Sequence, residues 1–190
     1  MAYIGQAPTP LPLTASDIPD LPATKITSGT FPALDGSNLT NISAGKVLQV
    51  VQGTLAGLVS TTSTSWSDTG LSASLTPSAT SSKILVSVTL NSCYQNTNNL
   101  ANYTTIYRDI GGGGYSNIHP TGSSAFYKYF GTNYSSASGT TVGHSYEILD
   151  TVSTTSAVTY KVYFESDSGG TFNLNQNGVT SYIILQEIGS

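Results

Sequence analysis

The residues that could carry out nucleophilic or acid–base chemistry are few, and their spacing matches no catalytic pattern. A serine hydrolase needs a serine, a histidine base and an orienting carboxylate, and the only histidines are His119 and His144. No nucleophile elbow of the form Gly-x-Ser-x-Gly occurs in the sequence. With 28 serines in 190 residues, some serine close to a histidine is expected by chance. The sequence therefore predicts no serine hydrolase.

Glycoside hydrolysis would instead need two carboxylates about 5–10 Å apart. The acidic candidates in the body of the chain are Asp68, Asp109, Glu147, Asp150, Glu165 and Asp167. Glu147 and Glu165 lie in segments where apolar and polar residues alternate, which places them on the solvent-facing side of a sheet. We interpret these carboxylates as surface groups that aid solubility, and we expect no enzyme activity.

The possible metal ligands are too few for a site built within one chain. Two histidines and one cysteine, Cys93, exclude a structural zinc site, and a single cysteine excludes an intramolecular disulfide. No short loop carries the several carboxylates that calcium prefers. A trimer axis could still gather three copies of His119 or Asp109 around an ion. We expect no cofactor.

Tyrosines offer the best prospect for binding, since they supply a large contact area and a polar tip at low entropy cost. Those that cluster in the middle of the chain include Tyr94, Tyr103, Tyr115, Tyr127, Tyr129 and Tyr134. Tyr127 and Tyr129 share one face of a predicted strand and suit a subunit interface. Tyr115 and Tyr134 lie beside glycine-rich turns and are the candidate exposed contacts. The glycine run at 111–114 lacks the Lys-Ser/Thr of a phosphate loop and is typical of a hairpin tip.

Composition excludes several classes of function. Only 8% of the residues are charged and the net charge is −4. Six basic residues cannot form the phosphate-neutralising surface that a nucleic-acid-binding protein needs. No apolar run approaches the roughly 20 residues that span a bilayer, so no membrane insertion is expected. The first ten residues lack the basic and apolar regions of a secretory signal. Low charge together with abundant threonine, valine, isoleucine and tyrosine favours β-structure over disorder.

Residues 46–190 carry the period-two alternation of half-buried strands. In 84–90 the residues Ile84, Val86 and Val88 share one face, and 158–164 repeats the pattern. Strands are predicted at 46–52, 58–66, 71–75, 84–90, 101–108, 124–130, 144–150, 158–164, 171–175 and 181–188. Turn sequences rich in glycine, proline and asparagine separate them. We therefore predict an all-β fold, an antiparallel β-sandwich or jelly roll.

Residues 1–45 differ from the body of the chain. Six of the eight prolines fall in the first 32 residues, which excludes a helix interior or a central strand. Apolar side chains nevertheless recur through this extended, proline-rich N-terminal arm, and a flexible spacer has no reason to carry them. The arm residues that we expect to bury their side chains on a partner are Tyr3, Ile4, Leu11, Leu13, Ile18 and Leu21.

The segment DIPDLPATKITSGTFPALDGSNLTNI at 17–42 resembles the N-terminal connectors of tailed-bacteriophage fibre proteins. The stretches GKVLQVVQ at 45–52 and TSTSWSDTGLSASLTPSATSSKILVSVTL at 62–90 are similar to a β-rich domain of phage fibres and virion appendages. The fragments SGGTFNLNQ at 168–176 and SYIILQEI at 181–188 fit the same pattern.

This resemblance implies a virion structural protein that is assembled in the cytoplasm of the host cell. It would form a homotrimer, attach to other virion proteins (capsid, tail or baseplate) through its N-terminal arm, and project its β-domain outwards. The chain is short for a complete tail fibre, which leaves open a head fibre or a capsid decoration (cement) protein that binds the major capsid protein. A carbohydrate-binding module that recognises host surface glycans is a further alternative.

Overall fold

A computed structural model describes residues 46–95, 102–118, 141–166 and 169–189, with the side chain of residue 95 excepted. These residues form antiparallel β-structure and one short 3-10 turn at Gln176–Gly178. The strands are β1 (Val47–Ala56), β2 (Val59–Thr61), β3 (Ser67–Leu75), β4 (Lys83–Gln95), β5 (Asn102–Ile110), β6 (Ser116–Asn117), β7 (Val142–Thr151), β8 (Val158–Ser166), β9 (Phe172–Leu174) and β10 (Thr180–Ile188). The predicted all-β class is confirmed over this part of the chain, whereas the arm and the strand predicted at 124–130 lie outside it.

The strands form two sheets. The larger sheet has the order β1-β10-β4-β9-β2. In addition, β7 pairs with the edge of β4 opposite to the one that pairs with β10. The smaller sheet has the order β3-β8-β5-β6. Sequence neighbours are therefore rarely partners: β10, late in the chain, lies between β1 and β4. The hairpin of β5 and β6 is an exception, and residues 111–114 form its tip, as predicted.

A single apolar core lies between the two sheets. Each long strand contributes alternate residues, as β8 shows most clearly: Val158, Tyr160, Val162 and Phe164 are at most 1% exposed, while the residues between them are half-buried. The other fully buried large apolar side chains come from both sheets and include Leu71, Ile84, Leu90, Ile106, Phe172, Leu174, Ile183 and Leu185. Burial of one face of each strand explains why the alternation in the sequence predicted them.

One glycine lets the two sheets approach each other closely. A Cβ added at Gly53 of β1 would overlap the backbone carbonyl oxygen of Ser72 in β3 and would lie 2.8 Å from its carbon. The β3 strand carries an irregularity between Asp68 and Ser72, with Gly70 at φ +84°. Backbone therefore packs against backbone at this point, where any side chain on β1 would force the sheets apart.

A buried asparagine connects the turn before β10 to the end of β1. Asn175 has left-handed backbone angles (φ 57°), and its amide donates hydrogen bonds to the carbonyl oxygens of Leu55 at 2.8 Å and Gly57 at 3.1 Å. Its side-chain oxygen accepts a hydrogen bond from the Ser181 hydroxyl at 2.6 Å. This is one of the asparagine- and glycine-containing turns predicted between strands, and Asn175 fixes its position on the sheet.

One predicted strand is too long. The sequence pattern predicted a strand over 58–66, but β2 ends at Thr61. The Ser63 hydroxyl donates to the Ser65 carbonyl at 2.7 Å and accepts from the Ser65 amide at 3.0 Å. Such local side-chain bonds offer the backbone an alternative to the sheet ladder, and they turn the chain before β3 begins.

Candidate functional site

The structure describes only part of the residues predicted to function in contacts. Tyr115 lies just before β6 and is 39% exposed, consistent with a surface position. Tyr134, together with the arm residues Tyr3, Ile4, Leu11, Leu13, Ile18 and Leu21, lies outside the described residues, as does His119.

The outer face of the larger sheet is the most unusual surface of the described domain. The residues that point away from the core are known from the alternating burial of β1, β4, β7 and β10. An antiparallel sheet with one face in water normally shows polar residues on that face. Here several of the outward residues are large and apolar, so the face does not follow the usual pattern.

The apolar residues of this face lie on neighbouring strands, with Gln186 between Val50 and Leu85. One row crosses four strands through Val50, Gln186, Leu85 and Leu149, each paired with the next. Val50 is 60% exposed and Leu149 is 53% exposed. We call this surface the apolar patch, and it comprises Val47, Val50, Leu85, Leu149, Ile184 and Ile188.

The remainder of the face carries hydroxyl and amide groups that bond to one another. The Ser145 hydroxyl donates to Thr89 at 3.1 Å, and Ser87 donates to the Glu147 carboxylate at 2.8 Å. Among the described outward positions of these four strands, only Lys83 and Glu147 are charged. An apolar patch with a nearly uncharged surround resembles the core and rim of a protein–protein interface.

Sequence reasoning missed the apolar patch, although a signal for it was present. In 47–51 and 183–185 apolar residues occur on both faces of a strand, not on one face only. A strand that is apolar on both faces needs a second partner for its outer face. From these segments the sequence predicted strands but no second partner for their outer faces.

Most of the candidate carboxylates have structural partners. The Arg108 guanidinium donates to both oxygens of Asp150, at 2.8 and 2.9 Å, and the Tyr160 hydroxyl donates to one of them at 2.8 Å. Burial and the neighbouring Asp150 carboxylate raise the pKa of Tyr160, which keeps this phenol a donor. Because Arg108 and Tyr160 belong to the smaller sheet and Asp150 to the larger, the group connects the two sheets.

Asp109 has a different structural role. Its carboxylate accepts hydrogen bonds from the amides of Gly112 at 3.0 Å and Gly114 at 2.6 Å, so it holds the hairpin tip in place. Asp68 pairs with Lys161 at 2.7 Å. Glu147 is exposed on the outer face of its sheet, as predicted, Glu165 is half-buried, and Asp167 lies outside the described residues.

One carboxylate that sequence reasoning did not single out is fully buried. Glu187 of β10 points inward with no exposed surface. It accepts hydrogen bonds from the Ser78 amide at 2.7 Å, the Ser78 hydroxyl at 2.6 Å and the Gln49 amide at 2.7 Å. Burial opposes ionisation, but these donors together with Ser82 lower the pKa of Glu187 to about 2. The carboxylate therefore fastens the loop after β3 and the start of β1 to β10.

The described residues offer little for catalysis or metal binding. Burial lowers the pKa of His144, whose ring centroid lies 5.2 Å from that of Tyr146. Burial raises the pKa of the Cys93 thiol to about 12, which makes it unreactive. Within the described ranges no group of three or more histidine, cysteine, aspartate or glutamate side chains is placed to hold a metal ion.

Comparisons with known proteins add no family assignment. No protein-family model matches the chain, and a search of curated proteins finds no match. In the part of the chain that the structure describes, no helix has the length and apolarity needed to cross a membrane.

Proposed function

We propose that this chain is a structural component of a tailed-phage virion, a homotrimeric, fibre-like appendage whose N-terminal arm attaches it to the particle. The observation that carries the self-assembly is the apolar patch. Large exposed apolar surfaces are rare on monomeric proteins and mark interaction sites. Burial of a leucine or valine side chain is worth about 1.5–3 kcal/mol, so contact through this patch favours association.

We further infer a jelly roll for residues 46–190. When the short strands β2 and β9 are left out, the larger sheet has the order β1-β10-β4-β7 and the smaller has β3-β8-β5-β6. In this order the first and last strands are neighbours in one sheet, and the second and next-to-last are neighbours in the other. Two interleaved Greek keys give this order, and jelly rolls are common among viral capsid domains.

The arm is proposed as the attachment to other virion proteins. Support comes from its apolar residues in the sequence and from the place where it joins the domain. Residue 46 precedes β1, and the Lys46 carbonyl accepts a hydrogen bond from the Gly189 amide at 3.0 Å. The described domain therefore begins at the end of the larger sheet that carries Val47 and Ile188. The proposal includes no catalytic step.

Light scattering on the full chain tests the proposal. We expect a mass about three times 19.7 kDa. Val50→Lys and Leu149→Lys place a charge in the apolar patch and should reduce the mass to that of a monomer. Leu58→Lys is the matched control, because Leu58 is equally exposed (57%) but lies in the turn between β1 and β2. It should leave the trimer intact.

Two results would overturn the proposed assembly. A monomeric wild-type protein would contradict self-association and would favour a decoration protein that assembles only on its capsid. A trimer that persists in both patch variants, with circular dichroism unchanged, would mean that the patch is not the trimer contact.

A further inference from the structure

A second surface feature lies on the outer face of the smaller sheet. Tyr107 of β5 and Tyr163 of β8 point away from the core, and their ring centroids are 4.1 Å apart with an interplanar angle of 33°. Lys161 is paired directly opposite Tyr107, and its ammonium group lies 4.8 Å from the centroid of the Tyr115 ring. Together with Asp68, these residues form what we call the tyrosine cluster.

The cluster is held in place before any ligand arrives. Two glycine amides bonded to Asp109 fix the loop that leads to Tyr115. The Lys161 ammonium donates to the Asp68 carboxylate at 2.7 Å, and this hydrogen bond raises the pKa of Lys161. Stacking of Tyr107 on Tyr163 restricts both rings. Preorganisation of this kind lowers the entropy cost of binding.

The cluster is exposed and offers no unpaired positive charge to a ligand. Tyr115 is 39% exposed, and the side chains of Asp68 and Lys161 are 34% and 28% exposed. The positive charge of Lys161 is paired with Asp68, and the negative charge of Glu165 acts on Tyr107, so an anionic ligand gains no net attraction. Burial raises the pKa of Tyr107 and of Tyr163, and both phenols therefore stay protonated and uncharged at neutral pH.

We propose that the tyrosine cluster is a binding site for a neutral carbohydrate. Sugar rings present apolar C–H faces that stack on aromatic rings, and their hydroxyl groups bond to charged and phenolic side chains at the edge of the ring. Tyr115 and the Tyr107–Tyr163 pair supply the aromatic surface. Asp68 accepts and Lys161 donates hydrogen bonds, which together fix the orientation of the sugar.

Other ligand classes fit this surface less well. A nucleic acid stacks on aromatic rings but also requires unpaired basic groups for its phosphates, and Lys161 is already paired with Asp68. A protein partner also uses aromatic residues, but the exposed aliphatic side chains that would extend such a contact lie on the other sheet, in Val47, Val50 and Leu149. The inference does not depend on the proposed assembly, since each chain carries a complete cluster.

The test is a screen of the full-length protein on an array of neutral and acidic oligosaccharides. Calorimetric titration with the best soluble neutral oligosaccharide follows, and it reports affinity per chain whatever the oligomeric state. We expect Tyr115→Ala to weaken binding about tenfold or more, because stacking is lost. Tyr115→Phe keeps the ring and should retain most of the affinity. Lys161→Ala should also weaken binding, because a hydrogen-bond donor to the sugar is lost.

Matched controls lie on the other sheet. Tyr182→Ala removes a half-buried tyrosine from the outer face of β10, and Lys83→Ala removes an exposed lysine from β4. Both should leave the affinity within about twofold of the wild type. Three results would overturn the proposal: no neutral oligosaccharide bound, binding confined to acidic oligosaccharides, or an affinity unchanged in both Tyr115→Ala and Lys161→Ala.

Discussion

Glu187 makes the stability of this domain depend on pH in a way that can be calculated from its contacts. Its carboxylate accepts three hydrogen bonds from Ser78 and Gln49, all between 2.6 and 2.7 Å. The pKa of Glu187 is lowered from 4.5 to about 2 in the folded protein. Because one pKa unit corresponds to about 1.4 kcal/mol, the ionised carboxylate contributes about 3 kcal/mol to the free energy of unfolding.

The sign of the dependence follows from the direction of the shift. The folded state binds the proton more weakly than the unfolded state, so the stabilisation is complete above pH 4.5. It is lost progressively as the pH falls from 4.5 towards 2. Glu187→Gln removes the charge and places an amide donor opposite the donors of Ser78 and Gln49. We expect this substitution to lower the free energy of unfolding by about 3 kcal/mol at pH 7.

Urea denaturation at a series of pH values measures both effects. Wild-type and Glu187→Gln proteins are compared at equal concentration from pH 7 to pH 2.5, with Glu147→Gln as the control. Glu147 is exposed and accepts a single hydrogen bond from Ser87, so its replacement should cost less than about 0.5 kcal/mol. The gap between wild type and Glu187→Gln should narrow below pH 4.5. A gap that stays constant down to pH 2.5 would refute the reasoning.

Three further predictions concern packing, ion pairs and reactivity. Gly53→Ala should lower the free energy of unfolding, measured by urea denaturation, by about 3 kcal/mol or more, because the new methyl group would overlap the backbone of β3. Gly143→Ala should be nearly neutral, because a Cβ at Gly143 would lie 3.9 Å from the nearest atoms around it. Arg108→Met should lower the free energy of unfolding by about 1.5–3 kcal/mol, because the partly buried Asp150 carboxylate loses its charged hydrogen-bond donor. Lys161→Met, whose ion pair is more exposed, should lower it by less than about 1 kcal/mol. Equal losses would contradict this ranking. Cys93, buried with a pKa near 12, should resist a thiol reagent in the native protein and react in urea; rapid native labelling would show that the core opens readily.

The sequence predicted best those strands in which one face is apolar and the other polar. The segments 84–90 and 158–164 alternate without interruption, and both became strands with one face fully buried. Elsewhere β1 extends to Ala56, beyond the predicted end at 52, because Gly53 permits a close approach that no periodicity reveals. Likewise β3 begins at Ser67, before the irregularity at Gly70 that interrupts its alternation.

The candidate sites depended on contacts between distant segments, which limited what the sequence could predict. Tyr115 was identified because a single exposed tyrosine beside glycines is a local signal. The stacking of Tyr107 on Tyr163 follows from the register of β5 with β8, which alternation alone does not fix. Glu187 was not singled out, because its donors come from Ser78 and Gln49, far away in the chain.

The position of β10 has a consequence for the way the domain acquires its structure during synthesis. This strand pairs with β1 on one side and β4 on the other, so the larger sheet stays split until residue 188 has left the ribosome. Among the described strands, β1 has no other hydrogen-bonded neighbour in that sheet until then. Contacts between segments so far apart in the chain make folding slow, on the order of milliseconds to seconds. The nascent chain therefore carries unpaired strand edges for most of its translation, and premature termination before β10 should yield aggregated product and no partly assembled domain.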